Sequence, residues 1–132
     1  MLQNWLDHKN ILVTGATSGI GHELACQFDH EGANLVLVGR TEEKLEEMKQ
    51  NFMGSTVVIP YDLLNLEDIE TIFQTVKEKL GKLDGMVHCA GIAVNSVIKA
   101  NEIEVIKRVM DINTFSFVEL GKYFSLKKYS SN

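Results

Sequence analysis

Between Thr14 and Gly21 the chain reads TGATSGIG, and its glycines at 15, 19 and 21 are the first residues whose spacing points to chemistry. Glycine lets the backbone bend tightly and approach a ligand that a Cβ would keep away, and a helix starting just after such a bend offers free N–H groups to a phosphate. Placed between an apolar strand and an amphipathic helix, the turn is read as a site for the pyrophosphate of a dinucleotide. The alternative is a bend made of glycine only for close packing. A second set of residues stands near the end, in GKYFSLKKYSSN: Tyr123 and Lys127 four apart, with Ser130 and Ser131 just beyond. These residue types at this spacing raise the question of whether they are a catalytic set. Position argues against it here. Tyr123 lies ten residues past Asn113, about 15 Å further along a helix that runs away from the ligand edge, so the pair and the two serines are not assigned to catalysis.

The elements that must position the turn are legible as alternating patterns. ILVTG (Ile11 to Gly15), NLVLVG (Asn34 to Gly39), TVVIP (Thr56 to Pro60) and GMVHCAG (Gly85 to Gly91) are short, rich in Val, Ile and Leu, and read as strands buried on both faces. Ile20 to Glu31, Thr41 to Asn51, Leu66 to Leu80 and Asn101 to about Lys127 have helical period, and Gly32 and Gly81 are placed as C-terminal stops. The alternation predicts one α/β domain over 1–132, with a Rossmann-like doubly wound parallel sheet of about four strands in order 3-2-1-4 and helices on both faces. In the last helix Ile106, Met110, Asn113, Phe117, Leu120 and Phe124 recur at steps of four and three, which predicts one stripe facing the sheet. Asn113 interrupts it, and a buried amide is either tied to backbone or water, or has a task.

Composition sets bounds on function. The chain has 132 residues, 45% hydrophobic and 23% charged, with a net charge of -5 that argues against general affinity for nucleic acid. Its two cysteines, Cys26 and Cys89, lack metal-ligand spacing and imply a reducing compartment. No apolar run approaches the length of a membrane span, and no His/Cys/carboxylate cluster suggests a metal, so the expected location is cytoplasmic. His22 is read as an exposed residue at a helix start, Cys26 as a small packing residue, and Asp84 as a structural acceptor. The acidic face around Glu42 to Glu47 is read as solvated.

The turn TGxxxGxG, HCAG at 88 to 91, Asp62 after the third strand and DIN at 111 to 113, in that order, resemble the short-chain dehydrogenase/reductase family from about Lys9 to Asn113. His88 and Cys89 stand where that family's NNAG turn has asparagines. The resemblance implies cofactor contacts from Gly15, Thr17, Ser18, Gly19, Ile20 and Gly21, from Arg40 and Thr41, from Asp62 and Leu63, and from Cys89, Ala90 and Gly91. It implies that Asn113 binds a water in a proton relay to a catalytic lysine. It also implies a small carbonyl or alcohol substrate, with a 3-oxoacyl-carrier-protein reductase as one candidate, and a homo-oligomer, dimer or tetramer.

Cofactor choice is argued from VGRTEEKL. An acid that would accept from ribose hydroxyls and repel a 2′-phosphate is absent at Gly39, while Arg40 brings a fork-shaped cation. NADP(H) is therefore favoured over NAD(H), unless Arg40 is occupied by Glu42 or Glu43. The resembled family carries its serine at the end of a fifth strand and its Tyr-x-x-x-Lys further on. The chain is accordingly expected to be the cofactor-binding part, stopping before that strand, unable to turn over alone, and self-associating through its uncovered fourth strand and last helix. The alternative is an inactive dinucleotide-binding module.

Overall fold

The computed structural model describes residues 4–131. Four strands, β1 (Asn10–Thr14), β2 (Asn34–Gly39), β3 (Thr56–Pro60) and β4 (Gly85–His88), form a parallel sheet in the order β3-β2-β1-β4. The crossovers are α1 (Gly19–His30), α2 (Glu42–Asn51) and α3 (Glu70–Lys79). Leu12, Val36 and Val38 face one layer with Ile72, Phe73 and Leu120, while Ile11, Val13, Leu35 and Leu37 face the other with Ala25, Leu45 and Met48. Burial on both faces is why these strands read as continuous apolar runs. The fold is the Rossmann-like arrangement that the pattern predicts. Gly32 and Gly81 follow α1 and α3 with φ of +88° and +96°, a conformation in which a Cβ is strained.

The last helical region departs from expectation. It is divided into a 3₁₀ turn (Ile98–Ala100), α4 (Ile103–Met110), a π-helical turn over Asp111–Phe115 and α5 (Ser116–Phe124). The extra residue in the π turn rotates the faces of α5 relative to those of α4. Ile112, Ser116 and Leu120 are buried, whereas Ile106, Met110 and Phe117 are 43%, 41% and 51% exposed, so the predicted stripe does not face the sheet as a unit. Nor do Tyr123 and Lys127 share a helix, because α5 ends at Phe124.

The segment after α5 is more ordered than its polar spelling suggests. Tyr129 and Ser130 are buried, and the Tyr129 ring lies 5.6 Å from that of Phe73. Leu83 N–H donates to the Tyr129 carbonyl at 2.9 Å and Ser131 N–H donates to the Leu83 carbonyl at 2.9 Å, giving a parallel bridge between Leu83 and Ser130. Asp84 N–H turns the other way, to Asn10 of β1. The bridge is thus a rung on the outer side of β4. The polar tail thus pairs at one isolated bridge, seated by Tyr129, whose ring packs on Phe73 and whose hydroxyl donates to Glu70 at 2.7 Å.

Candidate functional site

The residues of the glycine turn meet at the carboxyl ends of β1, β2 and β4, where an open parallel sheet leaves a crevice. Gly15 has φ +64°, and a Cβ there would lie 2.6 Å from the Ala90 nitrogen. Gly21, in the first turn of α1, has no room for a Cβ either: it would meet the Gly15 carbonyl oxygen at 2.2 Å. These two glycines let turn, helix and the Cys89–Ala90 backbone close upon one another. Gly19 is different. Its φ is +56° and nothing lies within 4 Å of its Cβ position, so it faces open space. The first turn of α1 carries no acidic side chain, which leaves its positive dipole end free for an anion.

The cleft is lined by Gly15, Thr17, Ser18, Val38, Gly39 and Arg40, by Tyr61, Asp62 and Leu63, and by Cys89, Ala90, Gly91, Ile92 and Ile112. Nine of the residues singled out from sequence are therefore brought together: Gly15, Thr17, Ser18, Arg40, Asp62, Leu63, Cys89, Ala90 and Gly91. Gly19, Ile20 and Thr41 are exposed nearby, and Gly21 lies buried beneath. Among the described residues Arg40 pairs with neither Glu42 nor Glu43, and its side chain is free at the cleft rim. Asp62 Oδ1 accepts the Leu64 N–H at 3.0 Å, an Asx turn that fixes the carboxylate at the mouth.

Tyr61 is a lining residue that sequence reasoning missed. Burial, with help from Asp68 and Asp62, pushes its phenol up to about 12, and its hydroxyl donates to the Asn65 carbonyl. It is a neutral wall of the cleft. A single aromatic after a strand carries no sequence signal for such a role.

Asn113 spans two backbone groups: its Nδ2 donates to the Ile92 carbonyl and its Oδ1 accepts the Ile92 N–H, both at 2.8 Å. The amide is exposed rather than buried, yet it is tied to backbone, and holds the segment after Gly91 against the π turn. Asp84 accepts the Asn10 N–H at 2.9 Å, the structural part read for it. Burial, then Glu23 and Asp29, raise the Cys26 thiol, so it is not poised for attack. His22 is exposed. Sequence reasoning also missed Asp29, a buried carboxylate that accepts the Met53 and Gly54 N–H groups at 3.0 and 2.9 Å and locks α1 to the turn before β3.

Tyr123 lies away from the cleft, half-buried with its ring 5.9 Å from Phe73, and Lys127 is exposed. Among the described residues no group of three or more His, Cys, Asp or Glu could hold a metal. No described helix is long and apolar enough to cross a membrane.

Fold and crevice together are those of the Rossmann-like α/β class. A family model described as short chain dehydrogenase matches residues 9–127, and the chain belongs to that family. It is 34% identical over 125 residues to dehydrogenase/reductase SDR family member 7B of Mus musculus, covering 89% of this chain and 39% of the relative. An uncharacterized oxidoreductase of Staphylococcus aureus is 33% identical over 109 residues, covering 82% of this chain and 47% of that protein. Among solved structures, L-sorbose reductase from Gluconobacter frateurii, complexed with NADPH and L-sorbose, superposes with a TM-score of 0.85 at 26% identity, over 92% of this chain and 48% of that one. The chain spans less than half the length of these relatives.

Proposed function

We propose that the chain is the NADP(H)-binding part of a short-chain oxidoreductase that reduces a carbonyl to an alcohol. The observation that carries this reading is Arg40 beside Gly39, without an ion-pair partner among the described residues and on the same cleft as the glycine turn and Asp62. The crowding at Gly15 and Gly21 is between protein backbones and seats the turn on α1 and β4, while Gly19, with positive φ and nothing within 4 Å of its Cβ position, supports the fit by leaving open space beside the helix start. The first-turn amides of α1 and the Ser18 hydroxyl would hold the diphosphate, Arg40 and Thr41 the 2′-phosphate, and Asp62 with Leu63 the adenine. The backbone of Cys89, Ala90 and Gly91 would line the nicotinamide ribose side, with Asn113 setting its far edge. When bound, the cofactor supplies a hydride.

The carbonyl or alcohol substrate class, a 3-oxoacyl-carrier-protein-like specificity and a cytoplasmic location belong to the same reading. NADPH in the complex of L-sorbose reductase, which shares this fold, agrees with the cofactor. The 132 residues form a single cofactor-binding domain in this view, and without a catalytic Tyr-x-x-x-Lys pair at the cleft they bind but do not turn over.

Cofactor occupancy has a chemical readout within the chain. Cys89 lines the cleft and Cys26 does not, though both are free and partly exposed. Saturating NADPH is expected to slow alkylation of Cys89 about tenfold or more while leaving Cys26 unchanged, as mass spectrometry of a maleimide time course would show. Equal rates with and without cofactor would contradict the placement.

Self-association is part of the proposal as well. Ile103 and Ile106 on α4 and Phe117 and Val118 on α5 are large apolar side chains left exposed, and a second copy is the occupant this reading gives them. The expected sedimentation at micromolar concentration is that of a dimer or larger; a monomer throughout would count against it.

A further inference from the structure

His88 ends β4 and is the residue that most alters the turn expected after that strand. Thr14, fully buried at the end of β1, accepts the N–H groups of Cys89 and Ala90 on Oγ1, each at 3.2 Å. With its lone pairs engaged, the Thr14 hydroxyl proton is left to donate, and His88 Nδ1 stands 2.8 Å away. Nδ1 is then an acceptor, so the neutral ring carries its proton on Nε2. That atom is buried without a hydrogen-bond partner, and the Ile112 backbone of the π turn is near enough to favour a proton on the ring. The ring itself packs on Phe117, with centroids 5.5 Å apart. Ile112 directly precedes Asn113, whose amide holds both backbone groups of Ile92.

We propose that His88 is a positioning residue: its imidazole, as the Nε2–H tautomer, joins Thr14 of β1 to the π turn and so fixes the Asn113 clamp on Ile92. This deepens the reading above only in calling that clamp the nicotinamide edge of the cleft; the bridge itself stands on Thr14, His88, Ile112 and Asn113. Protonation would break it. A second proton on Nδ1 would point a donor at the Thr14 oxygen, which already accepts two amides, and one of the three contacts must be given up.

Burial lowers the His88 pKa below the ordinary 6.5, with the Ile112 carbonyl pulling the other way as the lesser cause. Thr14, Ile112 and Phe117 face the ring from β1, the π turn and α5, and no charged side chain contributes among the described residues. The folded state therefore disfavours the cation. The stabilisation is complete above 6.5, where the unfolded chain's histidine is neutral, and is lost as pH falls from there through the folded value.

The test is a titration of the whole chain by nitrogen-15 and proton NMR, from about pH 8 to about pH 5, without cofactor. His88 is expected to show Nε2–H as the dominant tautomer and a midpoint below the ordinary 6.5, and the Ile92 and Ala90 amides are expected to shift with the His88 midpoint. The variants separate the two arms. His88→Asn places a polar atom where Nδ1 was and keeps Thr14, so at about pH 8 it should hold the Ala90 amide near its parent position and move Ile92; His88→Gln reaches towards Ile112 and abandons Thr14, so it should hold Ile92 and move Ala90. A midpoint at or above 6.5, a mixed tautomer, or an Ile92 amide indifferent to the titration would overturn the proposal. A chain that passes this titration yet fails to bind NADPH would sink the cofactor reading and leave the bridge standing.

Discussion

Arg40→Gln is expected to weaken NADPH binding by about ten- to hundredfold and NADH binding by less than about twofold. The asymmetry is the point. Charge-assisted hydrogen bonds to a phosphate contribute about 1.5–3 kcal/mol, and 1.4 kcal/mol is a factor of ten in affinity. Gln keeps the reach and some hydrogen bonding but neither the charge nor the planar fork. Arg40 is exposed and has no ion-pair partner among the described residues, so removing it leaves no buried charge stranded. Stability should stay within about 0.5 kcal/mol. Fluorescence titration of variant and parent with each nucleotide checks this, and an equal loss for both would mean that Arg40 does not meet the 2′-phosphate.

The second large effect is structural. Gly21→Ala would normally stabilise a helix by about 1 kcal/mol, since alanine is the better helix former. Here the added methyl would meet the Gly15 carbonyl oxygen at 2.2 Å and its carbon at 2.8 Å, which are backbone atoms that cannot rotate away. Overpacking costs about 1–3 kcal/mol, and contact with fixed backbone puts this case at the top of that range. The sign therefore reverses: a net loss of about 2 kcal/mol, seen as a fall of about 8 °C in Tm. Gly19→Ala is the control, because its added methyl meets nothing within 4 Å and only the positive φ is strained. It should cost about 1 kcal/mol. If Gly21→Ala melts at or above the parent temperature, the close seating of turn and helix is wrong.

How much of this was legible in the sequence differs by element, for physical reasons. β1 and β2 are covered on both faces, so their runs of Val, Ile and Leu announce them without any long-range information. The cleft was legible because its lining comes from the first residues after strands, where glycine, arginine and aspartate have local causes. The last helical region was not. Period alone cannot register a π turn, since one extra residue leaves the spelling helical while moving Phe117 to solvent and Ser116 into the core. Tyr129 was missed for a related reason: in LKKYSSN a single aromatic settles the burial of a polar segment, and its partner Phe73 is remote in sequence. Asn113 was read as either tied or tasked. The tie is visible in its two bonds to Ile92, and the water relay that the family resemblance implies for it is a proposal.

The His88 bridge shows how a departure from a family pattern can be informative. An imidazole is longer than the side chain it replaces and has acceptor and donor on opposite sides, so it can span from β1 to the helix beyond the cleft. In the proposed bridge that reach would couple the glycine turn, through the Thr14 bonds to His88 and Cys89, to the clamp at the other end.

The central claim is that the Thr14–Gly21 turn, the Arg40 rim and the Cys89–Gly91 wall form one dinucleotide cradle. Titrating the unmodified chain with NADPH and NADH, monitored by quenching and shift of the reduced nicotinamide fluorescence, tests it most directly. The account predicts saturable one-site binding of both, with NADPH about ten- to hundredfold tighter; no saturable binding of either, or tighter binding of NADH, would contradict it.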